Sequence, residues 1–195
     1  KWSVVNPMFR TYFRGKVYGA ESVPQSGPFI AVSNHASYFD PPILSNCVAR
    51  PVAFMAKEEL FKVPILKQAI ELYGAYPVKR DAAYSSAIRN AVSHLKQGWA
   101  VGIFLEGTRT ADEKIHKPKL GAATIAALAK VPLLPVSLWG TKAILRPRSS
   151  LPRPVPIVVR IGKLIEGPTS TNRQELQKIT SQCAEAINAM HALGS

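Results

Sequence analysis

The sequence predicts an α/β sandwich with a mainly parallel central sheet flanked by helices, and three observations carry that prediction. Short β-rich apolar runs recur at residues 29–32, 51–55, 74–78, 101–105, 133–139 and 157–164. Stretches of helical periodicity lie between them, and strands that alternate with helices build parallel sheets. Polar clusters follow four of the runs: His35 with Asp40, then Lys57, then Arg80, then Glu106 with Arg109. A parallel sheet gathers the carboxyl ends of its strands on one edge, where open α/β folds place their chemistry. A base, a lysine, two arginines and a glutamate are therefore expected to converge.

A single domain over residues 1–195 is expected, because 47% hydrophobic content supplies one sizeable core and no Gly/Ser linker divides it. Cys47 and Cys183 lie far apart, in neither a disulfide framework nor a metal-ligand spacing, which fits a reducing, cytosolic compartment. Lys130 breaks the longest apolar candidate for a membrane span, and the first residue is Lys1, which leaves an anchor upstream of the given chain open. The net charge of +13 points to anionic partners: nucleic acid, an acidic membrane face, phosphorylated substrates or acidic carrier proteins. Nucleic acid is the weaker choice, since the chain has no zinc pattern, no aromatic-bearing sheet motif and no helix-turn-helix.

Taken in order, residues 1–15 predict an amphipathic helix, with Trp2, Val5, Met8, Phe9, Tyr12 and Phe13 on one face beside Arg10 and Arg14. That face suits a membrane interface or the protein's own core. A short strand at 16–20 and a turn at 22–28 lead to the buried strand at 29–32. Asn34-His35-Ala36-Ser37-Tyr38-Phe39-Asp40 then forms the loop at its carboxyl end. A tight turn there would let Asp40 hold one ring nitrogen of His35 and free the other as a base. The same residues also suit a capping loop, with Ser37 or Asp40 opening a helix at Pro41-Pro42.

The strand at 51–55 leads to Lys57, which by itself suits a solvated surface as well as a site. A helix is expected at 65–72, then the strand at 74–78. Asp81 reads as the cap of a helix with Tyr84, Ile88, Val92 and Leu95 inward, closed by Gly98. After the strand at 101–105, Glu106-Gly107-Thr108-Arg109-Thr110 sets a flexible glycine beside an acid and an arginine fork that matches phosphate. An ordinary surface ion pair is the other use of Arg80 and Arg109. An alanine-rich helix to Lys130, the strand at 133–139, a basic proline-rich loop at 146–156, the strand at 157–164 and a long helix from Thr171 complete the chain.

Four blocks then stand out together: Asn34 to Asp40, Gly74 to Arg80, Phe104-Leu105-Glu106-Gly107-Thr108-Arg109-Thr110 and Val131-Pro132-Leu133-Leu134-Pro135-Val136. In order and interval they resemble the four motifs of the glycerolipid acyltransferases, most of all the bacterial 1-acyl-glycerol-3-phosphate (lysophosphatidate) acyltransferases. The resemblance spans residues 20–140, the motif-bearing core, and both ends of the chain lie outside it. Thr110 stands where serine is usual, and Leu133-Leu134 replaces a more typical valine.

The resemblance implies a glycerol-phosphate acyltransferase-like fold and transfer of a fatty acyl group to the sn-2 hydroxyl of lysophosphatidate, giving phosphatidic acid. His35 would take the hydroxyl proton and Asp40 would orient it. The donor would be the thioester of acyl-acyl-carrier protein or acyl-coenzyme A, with no metal or resident cofactor and no acyl-enzyme, since neither cysteine sits in a motif. Arg80 and Arg109 would clamp the phosphate, assisted by Lys57. Glu106 would hold the glycerol backbone, Gly107 would offer its N–H, and Asn34 and Thr108 would complete the substrate contacts. The fourth motif would line the acyl groove. Lysophosphatidate and the acyl donor would be partners together with an anionic membrane surface, and no nucleic acid. The expected location is the cytoplasmic face of the cell membrane, peripheral or anchored by upstream residues. A sister enzyme acting on glycerol-3-phosphate or another lysophospholipid, and a basic binding module without catalysis, are the competing readings.

Overall fold

Residues 7–57, 75–78, 84–145 and 151–195 are described by a computed structural model, with the backbone alone at 55–57, 75–78 and 84. Among them the strands are β1 (Lys16–Tyr18), β2 (Ile30–Ser33), β3 (Val52–Lys57), β4 (Ala75–Val78), β5 (Ala100–Phe104), β6 (Leu133–Trp139) and β7 (Val158–Ile161). The helices are α1 (Asp40–Cys47), α2 (Tyr84–Lys96), α3 (Gly121–Ala129) and α4 (Arg173–Ala192). One sheet takes all the strands in the order β1-β7-β6-β2-β5-β3-β4. Every pairing is parallel except β6 with β7. The expected helix at 65–72 and the Asp81 cap lie outside the described residues.

β2 is buried along its whole length because both faces of the sheet are covered, which is why it reads as an unbroken apolar run. Its side chains alternate between two cores. Phe29 and Ala31 join Ile43 and Leu44 of α1, Phe54 of β3 and Leu134 and Val136 of β6 on one side. Ile30 and Val32 join Leu95 of α2, Ile125 of α3 and Ile187 of α4 on the other. Pro135 is tolerated inside β6 because β7 ends at Ile161, opposite Val136, and the Pro135 carbonyl accepts from the Gly162 N–H at 2.8 Å. The cysteines serve opposite faces, Cys47 in the first core and Cys183 in the second. Burial pushes both thiols up to about 12, so each is an apolar filler rather than a nucleophile.

The N-terminal segment shows where two of its aromatic residues go. Met8–Tyr12 forms one π-helical turn, and Phe9 and Phe13 are each 2% exposed in the first core. A buried phenylalanine contributes about 1.5–3 kcal/mol, so Phe9 and Phe13 are spent on the protein's own interior. Tyr12 alone of the three aromatics at 9, 12 and 13 is exposed, and its hydroxyl donates to the Pro152 carbonyl at 2.9 Å. Trp2 and Val5 lie outside the described residues. No helix among the described residues is long and apolar enough to cross a membrane.

Topology decides what lies at the functional edge. β2, β5, β3 and β6 run the same way, and Ser33 pairs with both Phe104 and Val136, so their carboxyl ends align. β7 enters from that edge because it runs against β6, with Val158 opposite Trp139. β1 is parallel to β7 and enters there too. Residues 7–15 and 151–157 therefore border the loops that follow β2 and β5.

Candidate active site

The 34–40 loop is built around one buried carboxylate. Asp40 is 0% exposed, and its Oδ2 accepts from the Ala36 N–H and the Ser37 N–H, both at 2.7 Å. Both contacts curl the loop back on itself. Asp40 is also the first residue of α1, where Pro41 and Pro42 bring no N–H to satisfy, so the carboxylate stays free to serve the loop. No side chain caps α1, which follows Phe39, so of the two readings the loop takes the dyad and not the cap. The third partner of Oδ2 is His35 Nδ1, at 2.8 Å. A carboxylate only accepts, so the shared proton sits on Nδ1 and Nε2 keeps its lone pair. No partner of Nε2 is found among the described residues.

His35 is fixed from two further directions. Its ring stacks on Phe104 with centroids 4.0 Å apart and planes 16° from parallel, and Phe104 is backed by Phe54 at 6.1 Å. Phe54 fits because its register partner is Gly102, where a Cβ would come within 2.2 Å of the Phe54 ring. The His35 carbonyl accepts from the Thr110 N–H at 2.8 Å and from its hydroxyl at 3.3 Å. The 34–40 and 106–110 loops are thereby tied together at the base itself. Thr110 does this with its hydroxyl, which a serine at this position would also offer.

The second loop leaves β5 in a turn closed by the Gly107 N–H on the Phe104 carbonyl at 2.9 Å. Gly107 has φ +66°, and a Cβ there would also stand 3.2 Å from Lys119 Nζ, so the turn requires glycine. Thr108 and Arg109 follow, both exposed. The Arg109 guanidinium lies over the Tyr38 ring, 3.9 Å from its centroid, and Nη2 donates to Tyr38 Oη at 3.0 Å. An exposed cation is thus presented beside the His35 loop.

Two residues expected to touch substrate bond to backbone. Asn34 is 2% exposed; its Nδ2 donates to the carbonyls of Glu113 and Leu138, each at 2.7 Å, and its Oδ1 accepts from the Leu138 N–H at 2.8 Å. It braces backbone and has no face left for a ligand. Glu106 Oε1 accepts from the N–H groups of His116 and of Lys117, the latter at 2.7 Å, so it pins the segment ahead of α3. Lys57 ends β3 at the same edge, where it pairs with Val78, but its side chain lies outside the described residues, as does Arg80 entirely.

Glu113 and Tyr38 were not singled out by sequence reasoning. Glu113 sits at φ +62°, and its carboxylate accepts from the Gly140 N–H at 2.9 Å, the Lys142 N–H at 2.7 Å and His191 Nε2 at 3.4 Å. Burial alone would raise its pKa, but the hydrogen bonds from His191, Lys142 and Gly140 outweigh it and hold the carboxyl below its ordinary range. Nothing in a charged loop segment marks such a node. Tyr38 did carry a signal, being an aromatic residue inside a polar motif loop. Among the described residues no three His, Cys, Asp or Glu side chains gather as a metal site.

Comparison with known proteins fits this geometry. Residues 14–139 match the family model described as Acyltransferase. A chloroplastic 1-acyl-sn-glycerol-3-phosphate acyltransferase of Brassica napus is 33% identical over 137 residues, covering 69% of this chain and 40% of its own. A 1-acyl-sn-glycerol-3-phosphate acyltransferase of Bacillus subtilis is 34% identical over 126 residues, 64% of this chain and 62% of its own. The chain thus spans less than two thirds of either relative's length. The crystal structure of the 1-acyl-sn-glycerophosphate acyltransferase PlsC from Thermotoga maritima aligns over 97% of this chain and 80% of that one, at 30% identity and a TM-score of 0.77. The motif-bearing core, its dyad and its sheet order therefore have one explanation: the chain belongs to the acyltransferase family.

Proposed function

We propose that this protein transfers a fatty acyl group from a thioester donor, acyl-acyl-carrier protein or acyl-coenzyme A, to the sn-2 hydroxyl of 1-acyl-sn-glycerol-3-phosphate. The observation that carries the reading is the His35–Asp40 pair at 2.8 Å, with Nε2 unpaired among the described residues at the sheet edge. In the proposed step Nε2 takes the hydroxyl proton as the oxygen attacks the thioester carbonyl, and Asp40 stabilises the imidazolium that forms. The tetrahedral intermediate expels the thiolate, which recovers the proton from His35. Neither buried thiol enters the reaction, and the step calls for no resident cofactor. Arg109 binds the acceptor's phosphate, joined in this reading by Arg80 and Lys57. The names of the relatives from Brassica napus and Bacillus subtilis support the acceptor.

The reading extends to location, a peripheral site on the cytoplasmic face of an anionic membrane. A net charge of +13 supports it. So do exposed Arg10, Arg14, Lys16, Tyr12 and Leu151, which border the edge that carries His35. Incubation with labelled acyl-coenzyme A or acyl-carrier protein and a panel of acceptors tests the whole reading. Phosphatidic acid should be the dominant product, formed from lysophosphatidate. A faster reaction on glycerol-3-phosphate or on a phosphate-free acceptor would reassign the substrate.

A further inference from the structure

Tyr38 is 58% exposed, whereas Ser37 and Asp40 in the same loop are buried. It adds nothing to either core, yet it meets Arg109, 71 residues away, in two ways at once: ring face under guanidinium at 3.9 Å and Oη accepting from Nη2 at 3.0 Å. A stacking contact fixes the plane of a guanidinium, and a hydrogen bond at the ring's rim fixes its rotation within that plane. Arginine otherwise carries large rotamer freedom, which a ligand must suppress on binding. Tyr38 suppresses it beforehand. Among the described residues one of its five N–H donors is used, which leaves the rest of the fork, and its opposite face, for a phosphate. Tyr38 also shares its loop with His35, whose carbonyl is held by the Thr110 N–H, one residue from Arg109. The orientation of the fork is thereby tied to the position of the base.

We infer that Tyr38 is a positioning residue for acceptor recognition: it pre-orients the Arg109 guanidinium beside His35 so that a phosphomonoester is captured with its hydroxyl at Nε2. This rests on the reading of Arg109 as a phosphate ligand. Pre-orientation acts on ground-state binding, so it is seen in KM and not in kcat. The substitution is surface-exposed and leaves the core intact.

The test is steady-state kinetics with lysophosphatidate at saturating acyl donor, for Tyr38→Ala, Tyr38→Phe, Arg109→Ala and the Tyr38→Ala/Arg109→Ala double variant. Tyr38→Ala should raise KM about two- to fivefold, the scale of an exposed cation–π contact, with kcat unchanged. Tyr38→Phe keeps the platform and should restore most of the loss. In the Arg109→Ala background Tyr38→Ala should add nothing. An equal rise in KM with and without Arg109, a fall in KM, or a loss confined to kcat overturns the positioning role while leaving Arg109 as ligand. If Arg109→Ala itself keeps the parent KM, the phosphate assignment falls and the inference falls with it.

Discussion

The two loops that meet over the sheet edge are built in opposite ways. In the 34–40 loop the polar side chains turn inward, with Asn34, Ser37 and Asp40 all buried and each bonded to backbone. In the 106–110 loop Gly107, Thr108 and Arg109 are exposed, and Arg109 leans on an exposed tyrosine. Three donors converge on the buried Asp40 Oδ2, so the first loop has its geometry fixed before any ligand arrives. An exposed guanidinium exchanges water for phosphate at little cost, and the Tyr38 contacts hold its orientation meanwhile. The proposed chemistry wants this division, with a base held from within and a recognition arm presented to solvent.

Substitutions should separate the two loops. Asn34→Ala strips partners from two carbonyls and one N–H in a buried site, so it should lower folding stability by about 2–5 kcal/mol in urea unfolding. A loss below about 1 kcal/mol would mean that water replaces the side chain and that the first loop is softer than its burial implies. Arg109→Ala should leave the unfolding midpoint unchanged and raise KM for lysophosphatidate about 10- to 100-fold, the scale of a charge-assisted hydrogen bond. Lysine should restore part of that, having charge but no planar fork. An Arg109→Ala protein with lower stability and parent KM would reverse the contrast between the loops.

The smallest effect concerns Glu113, whose backbone carbonyl supports Asn34. Its carboxyl is held below its ordinary 4.5, so the folded state favours the charged form. The stability it contributes is complete above about pH 4.5 and is lost as the pH falls through the lower folded value. Glu113→Gln should therefore flatten the acid limb of a plot of unfolding midpoint against pH. An unchanged slope would show that other carboxylates control that limb.

Much of this was legible in the sequence because it rests on period and order. Apolar runs at 101–105 and 133–139 became β5 and β6 almost residue for residue, since strands buried on both faces have no polar alternation to blur them. The His35–Asp40 pair was legible through the four ordered blocks, since its spacing alone suited a capping loop as well. The backbone contacts of Asn34 and Glu106 were not legible, because motif position does not tell which way a polar side chain turns. Their backbone partners, at 138 and at 116–117, are set by packing that no local pattern encodes. Phe9 and Phe13 were open for the same reason: an aromatic stripe looks alike whether it meets a core or a lipid surface. The antiparallel β7 decided it, by drawing β1 and the segment before it onto the sheet.

The most direct measurement is the single-turnover rate of acyl transfer to lysophosphatidate by His35→Ala, with its unfolding transition recorded alongside. Loss of a positioned general base should slow transfer by about 10²- to 10⁴-fold while the transition stays cooperative and close to the parent's. A cooperatively folded His35→Ala protein that transfers acyl groups at a rate comparable to the parent would contradict the mechanism and move the base elsewhere.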